Sequence, residues 1–160
     1  MKVIGIDPGY DRLGVAIIEK DKKNDLKLIS SACLITSPKE EFSQRLFTLG
    51  KELEKIFKQN LDAEVAMEEI FFSKNKNTAL KVAEVRGMII FLASGAGLKV
   101  FPHSPQAVKL AVTGYGGATK DQMMTMVSKL INFNHKPKHD DEYDAVAIAI
   151  AHLYTPKVGF

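Results

Sequence analysis

Apolar residues along the chain come in blocks of two periods. Val3, Ile4 and Ile6 make a short β-branched run that Asp7-Pro8-Gly9 stops, which predicts a buried strand ending in a carboxylate. A parallel sheet places its ligand crevice at such an end, and an anion buried there needs a cation or hydrogen-bond donors. After a turn through Tyr10-Asp11-Arg12, a second strand is predicted over 13–19 and a third over 26–35. The polar cluster 21–25 links them as a hairpin turn, so the three strands read as an antiparallel meander. Ser37-Pro38-Lys39-Glu40 has the composition of a helix start, and Phe42, Leu46, Leu49, Leu53, Ile56 and Phe57 follow as one apolar stripe at helical spacing.

A second strand-like run, 64–72, mirrors the first by leading apolar residues into Glu68 and Glu69. The helix predicted over 77–93 carries two apolar faces, Leu80/Ala83/Gly87/Ile90 and Val82/Val85/Ile89. Either the helix is buried on both sides, or one face covers the sheet and the other waits for a partner. A short strand at 98–101 comes next, and Ser104-Pro105 opens a helix to about 112. A glycine-rich loop, 113–118, leads to Thr119-Lys120-Asp121-Gln122, a capping box for a helix to about 131. After a polar linker, the last helix begins near Asp140 and runs through the apolar block 145–153. This order predicts an α/β fold with a mixed sheet: one domain over 1–155 and a loose tail, 156–160.

The bulk numbers narrow the class. The 160 residues, 46% hydrophobic and 26% charged, suit one soluble globular domain. A net charge of +3 is compatible with a polyanionic partner without arguing for one. Cys33 is the single cysteine, so an intrachain disulfide is excluded. The N-terminus enters a strand with no signal-peptide pattern, and the apolar runs are too short to span a bilayer. A cytoplasmic protein with no membrane partner is the expectation.

The chemistry lies in the acids. Asp140-Asp141-Glu142-Tyr143-Asp144 opens the last helix, and Asp141 and Asp144 share one of its faces. Acids in a first turn also favour the helix dipole, so this cluster alone has a structural explanation. Capping does not explain three separate apolar elements that all end in carboxylates: at Asp7, at Glu68 or Glu69, and at this helix. Brought together, the carboxylates would repel one another unless divalent cations sat between them. Oxygen ligands suit Mg²⁺ or Mn²⁺, while one cysteine and four histidines without ligand spacing give no zinc site. Carboxylates holding two Mg²⁺ ions are a common apparatus of phosphodiester hydrolysis.

Five segments together resemble the RuvC-type Holliday junction resolvases, from residue 2 to about 153. They are Gly5-Ile6-Asp7-Pro8-Gly9, Met67-Glu68-Glu69-Ile70-Phe71, Lys74-Asn75, Ala83-Glu84-Val85-Arg86-Gly87 and Asp141-Glu142-Tyr143-Asp144 with the following Ala145–Ala149. The first segment alone is shared with actin-like ATPases and other ribonuclease H-like proteins. The resemblance implies a ribonuclease H-like fold with a five-stranded mixed sheet, three antiparallel strands then two parallel, flanked by helices. It implies a homodimer that nicks two strands of a four-way DNA junction, prefers T-rich cut sites and cooperates with a branch-migration helicase. Its acidic ligands carry over to Asp7, Glu68, Asp141 and Asp144, binding two Mg²⁺ with Mn²⁺ as substitute. Asp140, Glu69 and Glu142 are left to tune the site or cap the helix. By the same resemblance Lys109 and Lys120 contact the DNA backbone and Phe71 stacks on an unpaired base. Lys74 and Arg86 are further candidate DNA contacts on the basic flank. The rival readings are another ribonuclease H-like nuclease, such as one cutting RNA–DNA hybrids or processing RNA, a non-catalytic junction-binding module and an actin-like ATPase. Against the ATPase, this chain shows no second phosphate loop and is short for two lobes.

Overall fold

The computed structural model describes residues 1–69, 76–133 and 135–155. Its strands are β1 (Lys2–Asp7), β2 (Arg12–Lys20), β3 (Leu26–Ile35), β4 (Ala63–Glu68) and β5 (Val100–His103). They form one sheet in the order β3-β2-β1-β4-β5. β1, β2 and β3 pair antiparallel, and β1-β4 and β4-β5 pair parallel. This is the mixed five-stranded sheet expected from the sequence. Between β2 and β3, the Asp21 carboxylate accepts the backbone N–H groups of Lys23 and Asp25, while Asn24 takes a left-handed φ of 69°.

The helices are α1 (Phe42–Lys58), α2 (Lys76–Gly95), α3 (Pro105–Thr113), α4 (Lys120–Leu130) and α5 (Asp140–Tyr154). They divide between the two faces of the sheet, and the period of two in each strand decides which residues meet which helices. Val3, Ala16, Ile18 and Ala66 share one core with α3, α4 and α5. Ile4, Ile6, Leu13, Val15, Ile17, Val65 and Met67 share the other with α1 and α2. Among the described residues no helix is long and apolar enough to cross a membrane.

Two glycines let α5 lie directly on the sheet. A Cβ on Gly5 would stand 2.1 Å from the carbonyl oxygen of Ala145, and one on Gly14 would stand 2.0 Å from that of Asp141. Side chains at either position would push the helix off β1 and β2.

Three expectations need correction or refinement. The first helix does not start at Ser37-Pro38. That segment forms a turn in which the Ser37 hydroxyl and carbonyl accept the N–H groups of Lys39 and Glu40, and α1 begins at Phe42. Its composition fits a turn as well as a cap. Second, β4 stops at Glu68, and residues 70–72 of the expected longer strand lie outside the described residues. Third, the two apolar faces of α2 have different fates. Ala79, Val85, Ile89 and Ala93 are buried, while Leu80, Ile90 and Phe91 are exposed. The tail, 156–160, lies outside the described residues.

Candidate active site

Strand alternation decides which acids meet. Val3 and Gly5 face α5, so Asp7, two residues further on, faces the same way. Ala66 also faces that side and brings Glu68 with it, whereas Glu69 follows the opposite alternation. Ile6 pairs with Met67 in parallel register, so Asp7 and Glu68 end adjacent strands side by side. The first turns of α5 lie over this edge and bring in Asp141 and Asp144.

A cavity of about 230 Å³ opens there, lined by Asp7, Glu68 and Asp144 with Lys109 and Lys120 among its other residues. Lys109 comes from the middle of α3, whose N-terminus Ser104 caps by accepting the N–H of Ala107. Lys120 is the first residue of α4, which opens with the complete Thr119/Gln122 capping box. The glycine loop between them is a built turn. Gly114 caps α3 in the left-handed region at φ 77°, and the Thr113 hydroxyl donates to the carbonyl of Lys109 or that of Tyr115.

The electrostatics of the acids are unequal. Burial, then the charges of Asp144, Glu68 and Asp141, push the Asp7 carboxyl up to about 8. Burial and Asp144 raise Glu68, against the opposing charges of Arg86 and Lys109. Burial raises Asp144, against Lys120. Lys120 hydrogen-bonds Asp140, holding that carboxyl below its ordinary range, and reaches Asp144 at 3.5 Å. Asp141 is outside the cavity lining and faces the Arg12 guanidinium, its Oδ2 lying 3.2 Å from Nε. That oxygen is buried and meets no donor in hydrogen-bonding geometry.

The donor set suits a hard divalent cation. Asp7, Glu68 and Asp144 offer only oxygen ligands, burial raises each carboxyl despite the nearby charges of Lys120, Arg86 and Lys109, and Asp141 has a buried oxygen without a hydrogen bond. Among the described residues no three acidic, histidine or cysteine side chains are already drawn into a ligand cluster. Lys120 and Arg12 hold Asp144 and Asp141 in ion pairs instead.

The structure thus gathers Asp7, Glu68, Asp144, Lys109 and Lys120 around one cavity, with Asp141 at its border. Arg86 does not line it; from α2 its charge acts on Glu69 and Glu68. Phe71 and Lys74 lie outside the described residues. Glu142 leaves the site altogether: it is buried, accepts from the Ser31 hydroxyl at 3.0 Å and pairs with His135 at 2.9 Å. Sequence reasoning left Arg12 as a turn residue. The only clue to its place was its position opening the strand that follows Asp7. It also left the histidines unassigned, yet His103 Nε2 and His152 Nδ1 share a hydrogen bond of 2.9 Å, and His152 Nε2 reaches Glu64 Oε2 at 2.9 Å. Burial, then His152, holds His103 down at about 4.

A ribonuclease H-like sheet with carboxylates at the ends of two parallel strands and on the helix across them defines the class as the ribonuclease H-like nucleases. Within that class the chain belongs to the RuvC family of crossover junction endodeoxyribonucleases, whose sequence model matches residues 3–152. It is 42% identical over 155 residues to crossover junction endodeoxyribonuclease RuvC of Caldanaerobacter subterraneus subsp. tengcongensis, covering 97% of this chain and 93% of that one. To the protein of the same name from Roseiflexus sp. it is 41% identical over 153 residues, covering 96% and 90%. The structure of Thermus thermophilus RuvC in complex with Holliday junction substrate matches with a TM-score of 0.89 at 30% identity, covering 96% of this chain and 93% of that one. The yeast mitochondrial Holliday junction resolvase Ydc2 shares the fold, with a TM-score of 0.65 at 14% identity over 93% of this chain and 77% of that one. Membership brings the activity class, nuclease hydrolysis, and with it a general dependence on a divalent metal.

Proposed function

We propose that this chain resolves four-way DNA junctions by paired phosphodiester hydrolysis, leaving 5′-phosphate and 3′-hydroxyl ends. The observation that carries the reading is the Asp7 carboxyl, buried among Asp144, Glu68 and Asp141 and pushed up to about 8 by burial and their charges. Such repulsion destabilises the metal-free protein and is relieved by a bound dication. Asp7, Glu68, Asp141 and Asp144 are the ligand set, and Mg²⁺ is the expected metal, two ions per site, with Mn²⁺ able to replace it. Bound there, the ions supply Lewis acidity to the attacking water and the leaving 3′ oxygen. In this reading Asp7 would be shared between the ions, Glu68 and Asp144 would each hold one, and Asp141 would complete the set.

The cations on the walls serve the DNA. Lys109 and Lys120 stand beside the acids and neutralise backbone phosphates that the carboxylates would otherwise repel. Arg86, Lys74 and Phe71 are the further DNA contacts in this reading, with Phe71 expected to stack on an unpaired base. Two nicks require two sites. The exposed apolar face of α2, with Leu80, Ile90 and Phe91, supports a homodimer. Residues 1–155 act as one nuclease domain, the work is done in the cytoplasm beside the chromosome, and a branch-migration helicase complex is the expected partner.

The test is cleavage of a synthetic four-way junction in Mg²⁺ by the parent, Asp7→Asn and Glu68→Gln, with binding measured in parallel. Symmetric nicks by the parent, and variants that bind without cutting, support the reading. A parent that binds without cutting in Mg²⁺ or Mn²⁺ sinks the ligand assignment, and cleavage of RNA–DNA hybrids instead makes the substrate wrong.

A further inference from the structure

The acids at the start of α5 are divided between two cations. Lys120 approaches from α4 and takes Asp140 and Asp144. Arg12 approaches from the start of β2, with Nε at 3.2 Å from Asp141 and a terminal nitrogen at 3.8 Å from Asp140. Its other terminal nitrogen lies 3.4 Å from Nδ1 of His139, the residue preceding α5. The Arg12 side chain is 46% exposed and that of Asp141 only 16%. One partner therefore opens to solvent while the other faces inward, near enough to Asp7 to raise its pKa.

The geometry points to Arg12 as a positioning residue that acts as the resident counter-cation of Asp141: it holds this carboxylate in the metal-free protein and competes with the metal for it. The inference rests on the proposed ligand set. Two features support competition over a permanent structural bond. First, the Asp141 oxygen facing Arg12 is buried but lacks a donor in hydrogen-bonding geometry, so the contact is an ion pair without the bidentate fork of a committed arginine–carboxylate bond. Second, Arg12 is anchored from behind by its backbone. Arg45, buried in α1, donates to the carbonyl of Tyr10, the Thr36 hydroxyl and the Asp11 carboxylate. This clamp fixes the segment preceding Arg12 without engaging its guanidinium, which stays half-exposed and able to swing outward. A phosphate arriving at the cavity mouth gives the guanidinium a new anion as the metal takes Asp141. The exchange links metal binding to nucleic-acid binding through one side chain.

Competition and simple support predict opposite signs. Loss of a structural bond loosens the site and weakens metal binding, whereas loss of a competitor strengthens it. The experiment is Mn²⁺ binding to the DNA-free protein, followed by electron paramagnetic resonance and calorimetry, with thermal melts confirming that each variant folds. Arg12→Gln is expected to bind Mn²⁺ about fivefold tighter than the parent, the factor corresponding to a half-exposed ion pair at the upper end of its usual worth. Arg12→Lys keeps the charge and is expected within about twofold of the parent. Unchanged or weaker binding by folded Arg12→Gln overturns the inference, as does equal tightening by Arg12→Lys. Asp7→Asn separates this from the underlying reading. If the parent binds no Mn²⁺, or Asp7→Asn binds it as well as the parent, the ligand set itself fails and the Arg12 inference falls with it.

Discussion

Asp7 is stable as an acid, whereas its proposed role requires the anion. The native protein holds its proton up to about pH 8, against an ordinary carboxyl value of 3.8, because burial and three neighbouring carboxylates oppose its ionisation. The stability linked to that proton is therefore fully present below pH 3.8 and is lost as pH rises through 8. Asp7→Asn removes the penalty. In metal-free buffer we expect this variant to be more stable than the parent at pH 9 by on the order of 2 kcal/mol, or about 4–8 °C in melting temperature. Melts in chelator at pH 5 and pH 9 check this, and the advantage should shrink at the lower pH. Lys109 poses a separate test at this scale. If it meets a backbone phosphate, Lys109→Ala weakens binding to all junction sequences alike and lowers the log–log salt slope by about 1. Titrations at several salt concentrations measure that slope.

At the scale of elements, the seating of α5 decides the geometry of the acids. Gly5 and Gly14 bring the helix backbone against β1 and β2, so the helix depth and the positions of Asp141 and Asp144 are set by two missing side chains. Gly5→Ala would place its Cβ 2.1 Å from a helix carbonyl and 2.8 Å from the Ala149 side chain. We expect a loss of about 2–3 kcal/mol in stability, read by chemical denaturation. Cleavage should fall further than folded fraction does, because the acids move with the helix. Much of this scale was legible in the sequence. Run lengths and periods marked five strands and five helices, while the choice of Glu68 over Glu69 came from the family resemblance and not from periodicity. The start of α1 was misread because Ser37-Pro38 obeys the same local rules in a turn as in a cap, and only packing distinguishes them. Arg12 and Glu142 were illegible for another reason. One turns toward Asp141 and the other toward Ser31 and His135, contacts between residues up to 129 positions apart that no local pattern encodes.

For the whole molecule, the unequal faces of α2 matter most. The inward face joins the core with α1, and the outward face leaves Phe91 77% exposed beside Ile90. With Leu80 on the same helix also exposed, they make an apolar patch of the kind that marks an interaction surface. With a homodimer through this face, Phe91→Glu should give a folded monomer. Light scattering coupled to size exclusion reads its mass. Junction cleavage by the monomer should yield single nicks in place of paired ones, visible when a cruciform plasmid becomes nicked circles instead of linear products. A variant that stays dimeric would move the interface elsewhere.

The acids come from β1, β4 and α5, three elements separated by most of the chain, and none holds more than part of the set. A fragment or half-synthesised chain carrying Asp7 and Glu68 has the strands but lacks the helix that brings Asp141 and Asp144. With the proposed ligand set, an unfinished chain is therefore expected to bind metal poorly and not to cut. Completion of the fold is then the condition for being armed.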